Sequence, residues 1–223
     1  MKCHLCGEDY KNFGQDRYCA SCELLHTTVV NEGVYDSKYC EKYVAYSKSG
    51  VNSKLQQLRW NTVLRHVISG KLLDVGCGSG AFIQAAPAGF EVHGQDVNRY
   101  CVVYCNSIGL MVSETLPNEK FDVVSMFDSL EHFSSFDIVK QVRDLLKKNG
   151  RLVLGIPNFR AEFLANIDDW RHYRPDEHVF GISEKSIYQV CERFGFELDE
   201  QNDDESEVRQ PEGNISIYVL RKV

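Results

Sequence analysis

Four cysteines near the start of the chain form two close pairs, Cys3 with Cys6 and Cys19 with Cys22. Two residues separate the thiols of each pair, so one tight turn can bring both to an ion, and two such turns complete a tetrahedron. Residues 7–18 hold few apolar side chains, so metal ligation would supply the folding energy that burial cannot. The pattern predicts a structural zinc site with four sulfur ligands, although ordinary reduced thiols or a redox pair would also fit it.

A glycine-rich loop stands between a predicted strand at 71–75 and a predicted helix at 81–86. Gly76, Gly78 and Gly80 allow the backbone to turn sharply and to approach a ligand without an intervening side chain. The loop alone is ambiguous, because Gly76-x-Gly78-x-x-Ala81 also fits a loose dinucleotide-binding fingerprint.

Two aspartates at predicted strand ends reduce this ambiguity. Asp74 precedes the first glycine and places a negative charge where a pyrophosphate would lie, whereas phosphate sites favour free amide donors. A carboxylate there suits a ligand with an ammonium or sulfonium group. Asp96 follows 22 residues later, where a carboxylate can accept hydrogen bonds from both hydroxyls of a ribose. Together they predict a cofactor with a ribose and a cationic end.

A third cluster, Asp128-x-x-Glu131-His132, directly follows the predicted fourth strand of the sheet. His132 could act as a general base, because imidazole titrates near neutral pH. Alternatively, Asp128, Glu131 and His132 could bind a divalent cation, or Glu131 and His132 could simply begin a helix. His178 is a second candidate base, with bracing of its loop as the alternative role.

Residues 157–181 form a long connection rich in arginine and aromatic side chains. Arg160, Arg171 and Arg174, together with Trp170 and Tyr173, would suit an anionic substrate with a ring to stack on. A solvated loop whose aromatic side chains pack beneath it is the alternative. The first interpretation predicts a phosphorylated or nucleotide-linked small molecule as the partner.

The elements that position these residues alternate between strands and helices from residue 71 onward. Predicted strands at 71–75, 90–94, 110–113, 121–127 and 151–156 are separated by helices, including one at 135–148, which indicates a parallel, doubly wound sheet. The tail differs, because the strands at 196–200 and 215–221 are joined by an acidic connector, 201–214, with no predicted helix. These two strands should form an antiparallel pair, giving seven strands in all.

Four tyrosines precede this region at helical spacing. Tyr35, Tyr39, Tyr43 and Tyr46 share one helix face, which would either pack against the domain or cover a pocket as a lid. We therefore divide the chain into a zinc-binding knuckle at 1–33, a helical lid or linker at 34–70 and a catalytic domain at 71–223.

The composition excludes several protein classes. The 43% apolar and 26% charged residues are typical of a folded domain. No apolar run approaches the roughly 18–20 residues of a membrane span, and no segment resembles a signal peptide, so we expect a cytoplasmic protein without a membrane partner. The net charge of −7 argues against tight nonspecific binding to nucleic acid.

From about residue 55 to the end, the chain resembles the class I S-adenosylmethionine-dependent methyltransferases. The resemblance is carried by Leu72-Leu73-Asp74-Val75-Gly76-Cys77-Gly78-Ser79-Gly80, Asp96, Phe121-Asp122-Val123-Val124, Ser129-Leu130-Glu131-His132, Gly150-Arg151-Leu152-Val153-Leu154, Glu177-His178-Val179-Phe180 with Ser183, and Gly195-Phe196. It implies an α/β fold with a Rossmann-like, seven-stranded, mostly parallel sheet and an antiparallel carboxy-terminal hairpin, to which this chain adds the zinc knuckle.

The resemblance also implies roles for individual residues toward S-adenosylmethionine. Gly76, Gly78 and Gly80 would shape the cofactor loop. Asp74 would approach the methionine amino group, Asp96 would hold the ribose, and Val97 would lie against the adenine. Further contacts are implied with the adenine from Glu114, Thr115 and Leu116, and with the methionine and methyl group from Phe127 and Asp128.

These features predict a methyltransferase that acts on a small molecule. A hydroxyl of a sugar or nucleotide-linked substrate is the leading acceptor, because sugar-modifying methyltransferases of this fold can also carry a cysteine-rich zinc module. Two alternatives stay open: a nucleic-acid or protein-docking module on a cofactor-binding scaffold, and a nicotinamide-dependent oxidoreductase. Asp74 and the expected antiparallel tail disfavour the oxidoreductase.

Overall fold

Among the residues that the structure describes, eleven strands and seven α-helices form the framework of the protein. The structure, a computed structural model, describes residues 1–28, 35–209 and 214–223. The strands are β1 Lys11–Phe13, β2 Asp16–Cys19, β3 Leu24–His26, β4 Gly70–Val75, β5 Phe90–Gln95, β6 Val112–Ser113, β7 Phe121–Phe127, β8 Leu146–Pro157, β9 Phe180–Gly181, β10 Phe196–Asn202 and β11 Ile215–Lys222. The helices are α1 Ser37–Ser47, α2 Gly50–Leu64, α3 Ala81–Gln84, α4 Arg99–Ser107, α5 Asp137–Leu145, α6 Glu184–Phe194 and α7 Asp204–Arg209, with 3-10 helices at Leu130–His132 and Ala161–Asp169.

The larger sheet has seven strands in the order β10-β11-β8-β7-β4-β5-β6. Strand β4 pairs in parallel with β5 on one side and with β7 on the other, and β7 pairs in parallel with β8. Strand β11 runs antiparallel to both β8 and β10. This arrangement confirms the predicted mostly parallel sheet with an antiparallel tail. The carboxyl ends of β4, β5 and β7 consequently meet at one edge, where ligands bind in open α/β sheets.

Apolar side chains cover both faces of this sheet. One buried cluster includes Val139 and Val142 from α5 and Ile187 and Val190 from α6. The other includes Trp60 from α2, whose indole N–H donates to the carbonyl oxygen of Phe82 over 2.8 Å. Within the described ranges, no helix combines the length and the apolar character that crossing a bilayer requires.

The amino-terminal module, described over residues 1–28, supplies three strands of a smaller sheet with the order β1-β2-β3-β9. Its last strand belongs to a later part of the chain, and β3 pairs with it antiparallel. The hydroxyl of Ser186 in α6 also donates to the carbonyl oxygen of Cys22 over 2.8 Å. The amino-terminal module is therefore joined by hydrogen bonds to the rest of the protein. The boundary predicted between residues 33 and 34 lies outside the described residues.

The prediction of a connector without a helix between the last two strands is wrong. Helix α7, Asp204–Arg209, lies within this connector. The Ser206 hydroxyl donates to the carbonyl oxygen of Ile215 over 2.9 Å. Glu205 is fully buried, where it meets two arginines. These contacts are tertiary, so local sequence pattern did not reveal the helix. Residues 210–213 of the connector lie outside the described residues.

The predicted helix at 135–148 is also too long. Helix α5 ends at Leu145, and Leu146 already pairs with Phe121 in the sheet. The register between β7 and β8 then shifts, and Asn149 adopts φ +59° in the bulge before pairing resumes. Strand β8 therefore starts earlier than the predicted strand at 151–156.

Candidate active site

A cavity of about 520 Å³ opens at the carboxyl ends of β4, β5 and β7. Helices α1 and α2 and residues 171–178 complete its walls. Its volume lies in the range of small-molecule sites, roughly 300–1,000 Å³. Among the predicted site residues, its walls include Asp74, Gly76, Gly78, Asp96, Val97, Phe127, Asp128, His132 and His178.

The glycine loop has the backbone geometry that requires glycine. Gly76 adopts φ +77°, and a Cβ atom there would lie 2.6 Å from the Cβ of Ser129. Gly80 adopts φ +72° as the N-cap of α3, and a Cβ atom would lie 2.6 Å from Leu110 Cδ1. Gly80 is not among the residues that line the cavity, so it affects the site only through the shape of the loop.

Asp96 is fixed by two backbone amides at the end of β5. The amide of Gly78 donates to Oδ2 over 2.7 Å, and that of Asn98 donates to Oδ1 over 2.8 Å. Burial raises the pKa of Asp96, while these two N–H groups oppose the rise. Each oxygen retains a lone pair, so the carboxylate can still accept from a diol.

Asp74 is buried at the end of β4, with 4% of its surface exposed. Ser125, its partner in the parallel register, donates its hydroxyl to Asp74 Oδ1 over 2.7 Å. Burial raises the pKa of Asp74 to about 7, although the hydrogen bond from Ser125 opposes the rise. A cationic ligand beside this carboxyl would favour its ionised form.

Asp128 belongs to an ion network in the cavity wall, where Asp128, Arg59 and Arg209 all line the cavity. Arg59 Nη2 donates to its Oδ2 over 2.7 Å, and Arg209 contacts the same oxygen. Both arginines also contact Glu205, Arg59 through Nε at 2.6 Å and Arg209 through Nη2 at 2.8 Å. These arginines hold the pKa of Asp128 well below its usual range, although burial opposes this effect. The Arg59 guanidinium also lies 4.3 Å from the ring centre of Phe127.

Glu131, His132 and His178 meet on one wall of the cavity. The imidazole rings are 4.7 Å apart between centroids and nearly perpendicular, at 85°. Burial, together with the Asp128 charge, raises the pKa of Glu131 to about 8. Burial also lowers the pKa of both histidines, to about 3 for His178. Both imidazoles are therefore neutral at physiological pH.

The four tyrosines line the cavity, and three of them form a row of edge-to-face and tilted ring contacts along one side. The ring centres of Tyr35 and Tyr39 are 5.1 Å apart, and those of Tyr39 and Tyr43 are 4.7 Å apart. Tyr46 lines the cavity further along α1. This face of α1 therefore packs over the cavity and supplies both flat apolar surface and hydroxyl groups.

The arginine-rich connection contributes to the cavity only in part. Arg171 and Arg174 line it, whereas Arg160 contacts Glu162 at 3.6 Å outside it. Trp170 is buried in a separate cluster with Leu25 and Phe159, and the Tyr173 hydroxyl donates to Asp16 Oδ2 over 2.6 Å. These two aromatic side chains thus pack on the amino-terminal module, so the expectation that they stack on a substrate is wrong.

Glu114 and Thr115 are not among the residues that line the cavity. Strand β6 ends just before them, and the Gln95 amide donates to the carbonyl oxygen of Glu114 over 3.1 Å. The Ser113 hydroxyl holds the carbonyl oxygen of Thr115 over 2.6 Å. Their backbone is tied to the edge of the sheet, which leaves Val97 as the predicted adenine contact in the cavity wall.

The four amino-terminal cysteines converge on one point. All four Sγ atoms lie within 4.8 Å of one another, with Cys3 and Cys22 3.6 Å apart and Cys6 and Cys19 3.4 Å apart. Four sulfurs at about 2.3 Å from a tetrahedral ion would be separated by about 3.8 Å. The observed separations are close to that value, so the sulfurs fit a single zinc ion.

Sequence reasoning missed several residues of the cavity, notably Arg59, Arg209 and His172. Arg59 carried a detectable signal, because it occupies the core-facing position between Leu55 and Val63 in an otherwise apolar stripe. Arg209 carried none, since its role depends on contacts with Asp128 that lie far away in sequence.

The protein-family comparison addresses what this cavity serves. Residues 48–201, more than half of the chain, match the family described as "Methyltransferase domain". The chain belongs to this family. The match spans the glycine loop, both aspartates and the cluster on the cavity wall. No curated protein matches the chain.

Solved structures share the fold of this methyltransferase at low sequence identity. A protein of Pyrococcus horikoshii OT3 is 21% identical with a TM-score of 0.59, covering 79% of this chain and 92% of its own. N-methyltransferase NodS of Bradyrhizobium japonicum WM9, in complex with S-adenosyl-L-homocysteine, is 14% identical with a TM-score of 0.57, covering 84% and 99%. The [4+2]-cyclase SpnF is 17% identical with a TM-score of 0.62, covering 88% and 98%.

These likenesses establish the fold, and the family match establishes the class of enzyme. Because a [4+2]-cyclase has the same fold, architecture alone does not determine the reaction. The methyltransferase domain makes the protein an S-adenosylmethionine-dependent methyltransferase. The oxidoreductase alternative loses its support, since the antiparallel tail and the family match both favour methyl transfer.

Proposed function

We propose that this methyltransferase transfers a methyl group to a hydroxyl of an anionic small molecule, with sugars and nucleotide-linked sugars as the leading class. The observation that carries the proposal is the continuity of one cavity. The aspartates Asp74 and Asp96 lie in its walls, and so do Arg171, Arg174 and the histidine cluster. One cavity can therefore hold a cationic donor beside an anionic acceptor.

The residues at the donor end fit S-adenosylmethionine. Asp96 would accept hydrogen bonds from the ribose diol, and Val97, with 65% of its surface exposed, offers an apolar contact for the adenine. Asp74 would attract the methionine ammonium group through its charge. Gly76 and Gly78 would leave room for the cofactor because they carry no side chains. Phe127 and Asp128 line the same cavity and would face the methionine and the methyl group.

Methyl transfer requires alignment, exclusion of water and removal of one proton. S-adenosylmethionine, when bound, would supply an electrophilic methyl group and leave as S-adenosylhomocysteine. Tyr35, Tyr39 and Tyr43 would cover the reacting atoms and exclude water. His132 would take the hydroxyl proton at Nε2 in the tautomer whose Nδ1–H donates to the Tyr35 hydroxyl, 3.3 Å away. His178, whose pKa is lowered to about 3 by burial, would position the acceptor.

An anionic acceptor would be recognised by Arg171 and Arg174, since guanidinium groups pair well with phosphate. To test this, product S-adenosylhomocysteine is measured with matched pairs of sugars and nucleosides, each with and without phosphate. We expect Arg174→Ala to raise KM for a phosphorylated acceptor about tenfold or more. Arg160→Ala serves as the control, because Arg160 lies outside the cavity. Equal turnover of phosphorylated and unphosphorylated acceptors would refute the anionic class.

We further propose that Cys3, Cys6, Cys19 and Cys22 hold a structural zinc ion in a module at 1–33. The sulfur separations support this, and the nine cysteines are free thiols, which fits a reducing cytoplasmic location. Metal analysis of the purified protein should give one zinc per chain. Cys19→Ser should lose it, and Cys40→Ser, another buried cysteine outside the cluster, should keep it. Retention of zinc by Cys19→Ser would contradict this assignment.

A further inference from the structure

Glu131 is a buried carboxyl group without a hydrogen-bond partner. It lines the cavity wall with 2% of its surface exposed. Neither carboxyl oxygen has a partner among the residues that the structure describes. Burying such a group unpaired is unfavourable, so its presence points to a ligand that satisfies it.

Two imidazoles stand next to this carboxyl. One ligand atom from each of Glu131, His132 and His178 falls within 4.8 Å of the other two, so one ion can contact all three. His178 Nδ1 lies 2.9 Å from the carbonyl oxygen of His172, so it carries the proton and leaves a lone pair on Nε2. A backbone carbonyl that fixes the tautomer in this way is the usual support of a metal-binding histidine.

Asp128 takes no part in this arrangement, although the sequence suggested it as a ligand. Its carboxylate is already paired with Arg59 and Arg209. The third residue near Glu131 and His132 is instead His178, which belongs to the arginine-rich connection at 157–181. The resulting set, one carboxylate and two imidazoles, is therefore visible only in the folded chain.

A second acidic cluster provides a contrast. Glu91, His93 and Glu119 also lie close enough to share an ion. Lys71, however, contacts Glu91 at 2.9 Å and Glu119 at 2.8 Å, so a cation of the protein already neutralises both carboxylates. No such cation contacts Glu131 in the described part of the chain. Both clusters hold their ligand atoms close together, but only in the first does the described part of the chain leave a buried carboxyl group without a hydrogen-bond partner.

We propose that Glu131, His132 and His178 form a binding site for a divalent first-row transition metal ion such as Mn²⁺. Mixed imidazole and carboxylate ligands suit such ions, and three protein ligands leave open positions in an octahedral shell. One open position faces the cavity, where an acceptor hydroxyl could bind and lose its proton more readily. The role of the ion in activating the acceptor hydroxyl rests on the proposed function, whereas the binding of the ion does not. In the ion-loaded enzyme, His132 is a ligand, and the ion-bound acceptor hydroxyl, with its pKa lowered by the ion, would release its proton to solvent.

Titration with Mn²⁺ alone tests the site. The full-length protein is first given one zinc ion per chain, which the four thiolates take in preference to imidazole and carboxylate ligands, and unbound zinc is removed by dialysis. Free Mn²⁺ is then followed by electron paramagnetic resonance, with and without S-adenosylhomocysteine. We expect one Mn²⁺ per chain, bound at least about tenfold more weakly in Glu131→Gln and His178→Ala. His93→Gln, from the second cluster, should bind as the parent protein does.

Two further measurements separate loss of the site from loss of folding. Glu131→Gln replaces an unpaired carboxyl group with a neutral amide of similar size, so its thermal midpoint without metal should equal or exceed that of the parent protein. Pulsed resonance of bound Mn²⁺ should show couplings to imidazole nitrogen that His178→Ala diminishes. The proposal is overturned if Mn²⁺ does not bind, if both variants bind it normally, or if His93→Gln abolishes binding. None of these readouts depends on methyl transfer, so the proposed function can fail or succeed separately.

Discussion

At the residue scale, the protonation of Asp74 couples cofactor binding to pH. Burial raises the pKa of Asp74 to about 7 in the free protein, whereas binding an ammonium group requires the carboxylate. Below pH 7 the carboxyl must first lose a proton, so affinity falls as pH falls, by up to about tenfold per pH unit. Above pH 7 this effect disappears. Calorimetry with S-adenosylhomocysteine from pH 6 to pH 8 measures the slope.

The variant Asp74→Asn provides the control for this pH dependence. It should bind S-adenosylhomocysteine more weakly at pH 8 and show little change between pH 6 and pH 8. Glu131→Gln should keep the slope of the parent protein, although the pKa of Glu131 is also raised, to about 8. A slope that persists in Asp74→Asn would show that another group carries it.

Asp96→Ala should weaken cofactor binding severely. The substitution removes both hydrogen bonds to the ribose, each about 1.5–3 kcal/mol for a charged acceptor, and it frees the amides of Gly78 and Asn98. We expect the dissociation constant of S-adenosylhomocysteine to rise about 100-fold or more. Asp144→Ala, on the exposed face of α5, should bind normally in the same titration. Normal binding by Asp96→Ala would invalidate the donor site.

The residues that sequence identified best are those defined by their place on a strand. Asp74 and Asp96 end β4 and β5, so their positions follow from chain order and sheet topology. The partners of Asp128 do not, because Arg59 and Arg209 lie 69 and 81 residues from it. Likewise, nothing local to Glu114 or Thr115 reveals that Gln95 and Ser113 donate hydrogen bonds to their carbonyl oxygens.

At the element scale, the buried ion network joins α2, α7 and the end of β7. Arg59, with 6% of its surface exposed, is shared by Asp128 and the fully buried Glu205. Arg59→Met should therefore lower the free energy of unfolding by about 3–5 kcal/mol, because it leaves buried charge uncompensated. Chemical denaturation followed by circular dichroism measures this change.

Arg65 offers a matched comparison on α2. It is more exposed and contacts Glu200 near the surface, so Arg65→Met should lower the free energy of unfolding by less than about 1 kcal/mol. Similar losses in the two variants would show that the network does not stabilise the fold more than a surface pair. A larger loss in Arg59→Met would support its role in fixing α7 beneath the cavity.

Elements were predictable where their stability is local. The parallel strands carry continuous apolar runs, and α6 has a capping box at Ser183 and Ser186, so both appear in the sequence. Helix α7 was missed because Arg59, Arg209 and the backbone of Ile215 stabilise it from a distance. The early start of β8 was missed because pairing with Phe121 prevails over the continuing helical pattern.

At the scale of the whole molecule, the amino-terminal module braces the acceptor side of the cavity. The amide and hydroxyl of Thr27 donate to the carbonyl oxygens of Val179 and His178, over 2.9 and 2.5 Å. Cys19→Ser, which we expect to lose zinc, should therefore lower the thermal midpoint and weaken Mn²⁺ binding at His178. Affinity for S-adenosylhomocysteine should change little, because the glycine loop and Asp96 lie on other elements. Equal loss of both ligands would show that the module supports the whole fold.

In the proposed reaction, the methyl group passes to an oxygen atom of an anionic acceptor. The most direct measurement uses cofactor labelled with ¹³C in its methyl group, a panel of phosphorylated sugars and nucleotide-linked sugars, and product analysis by nuclear magnetic resonance. We expect a labelled methyl ether that disappears without enzyme and decreases strongly in Asp96→Ala. A label found only on nitrogen, carbon or sulfur, or transferred only to uncharged acceptors, would contradict the claim.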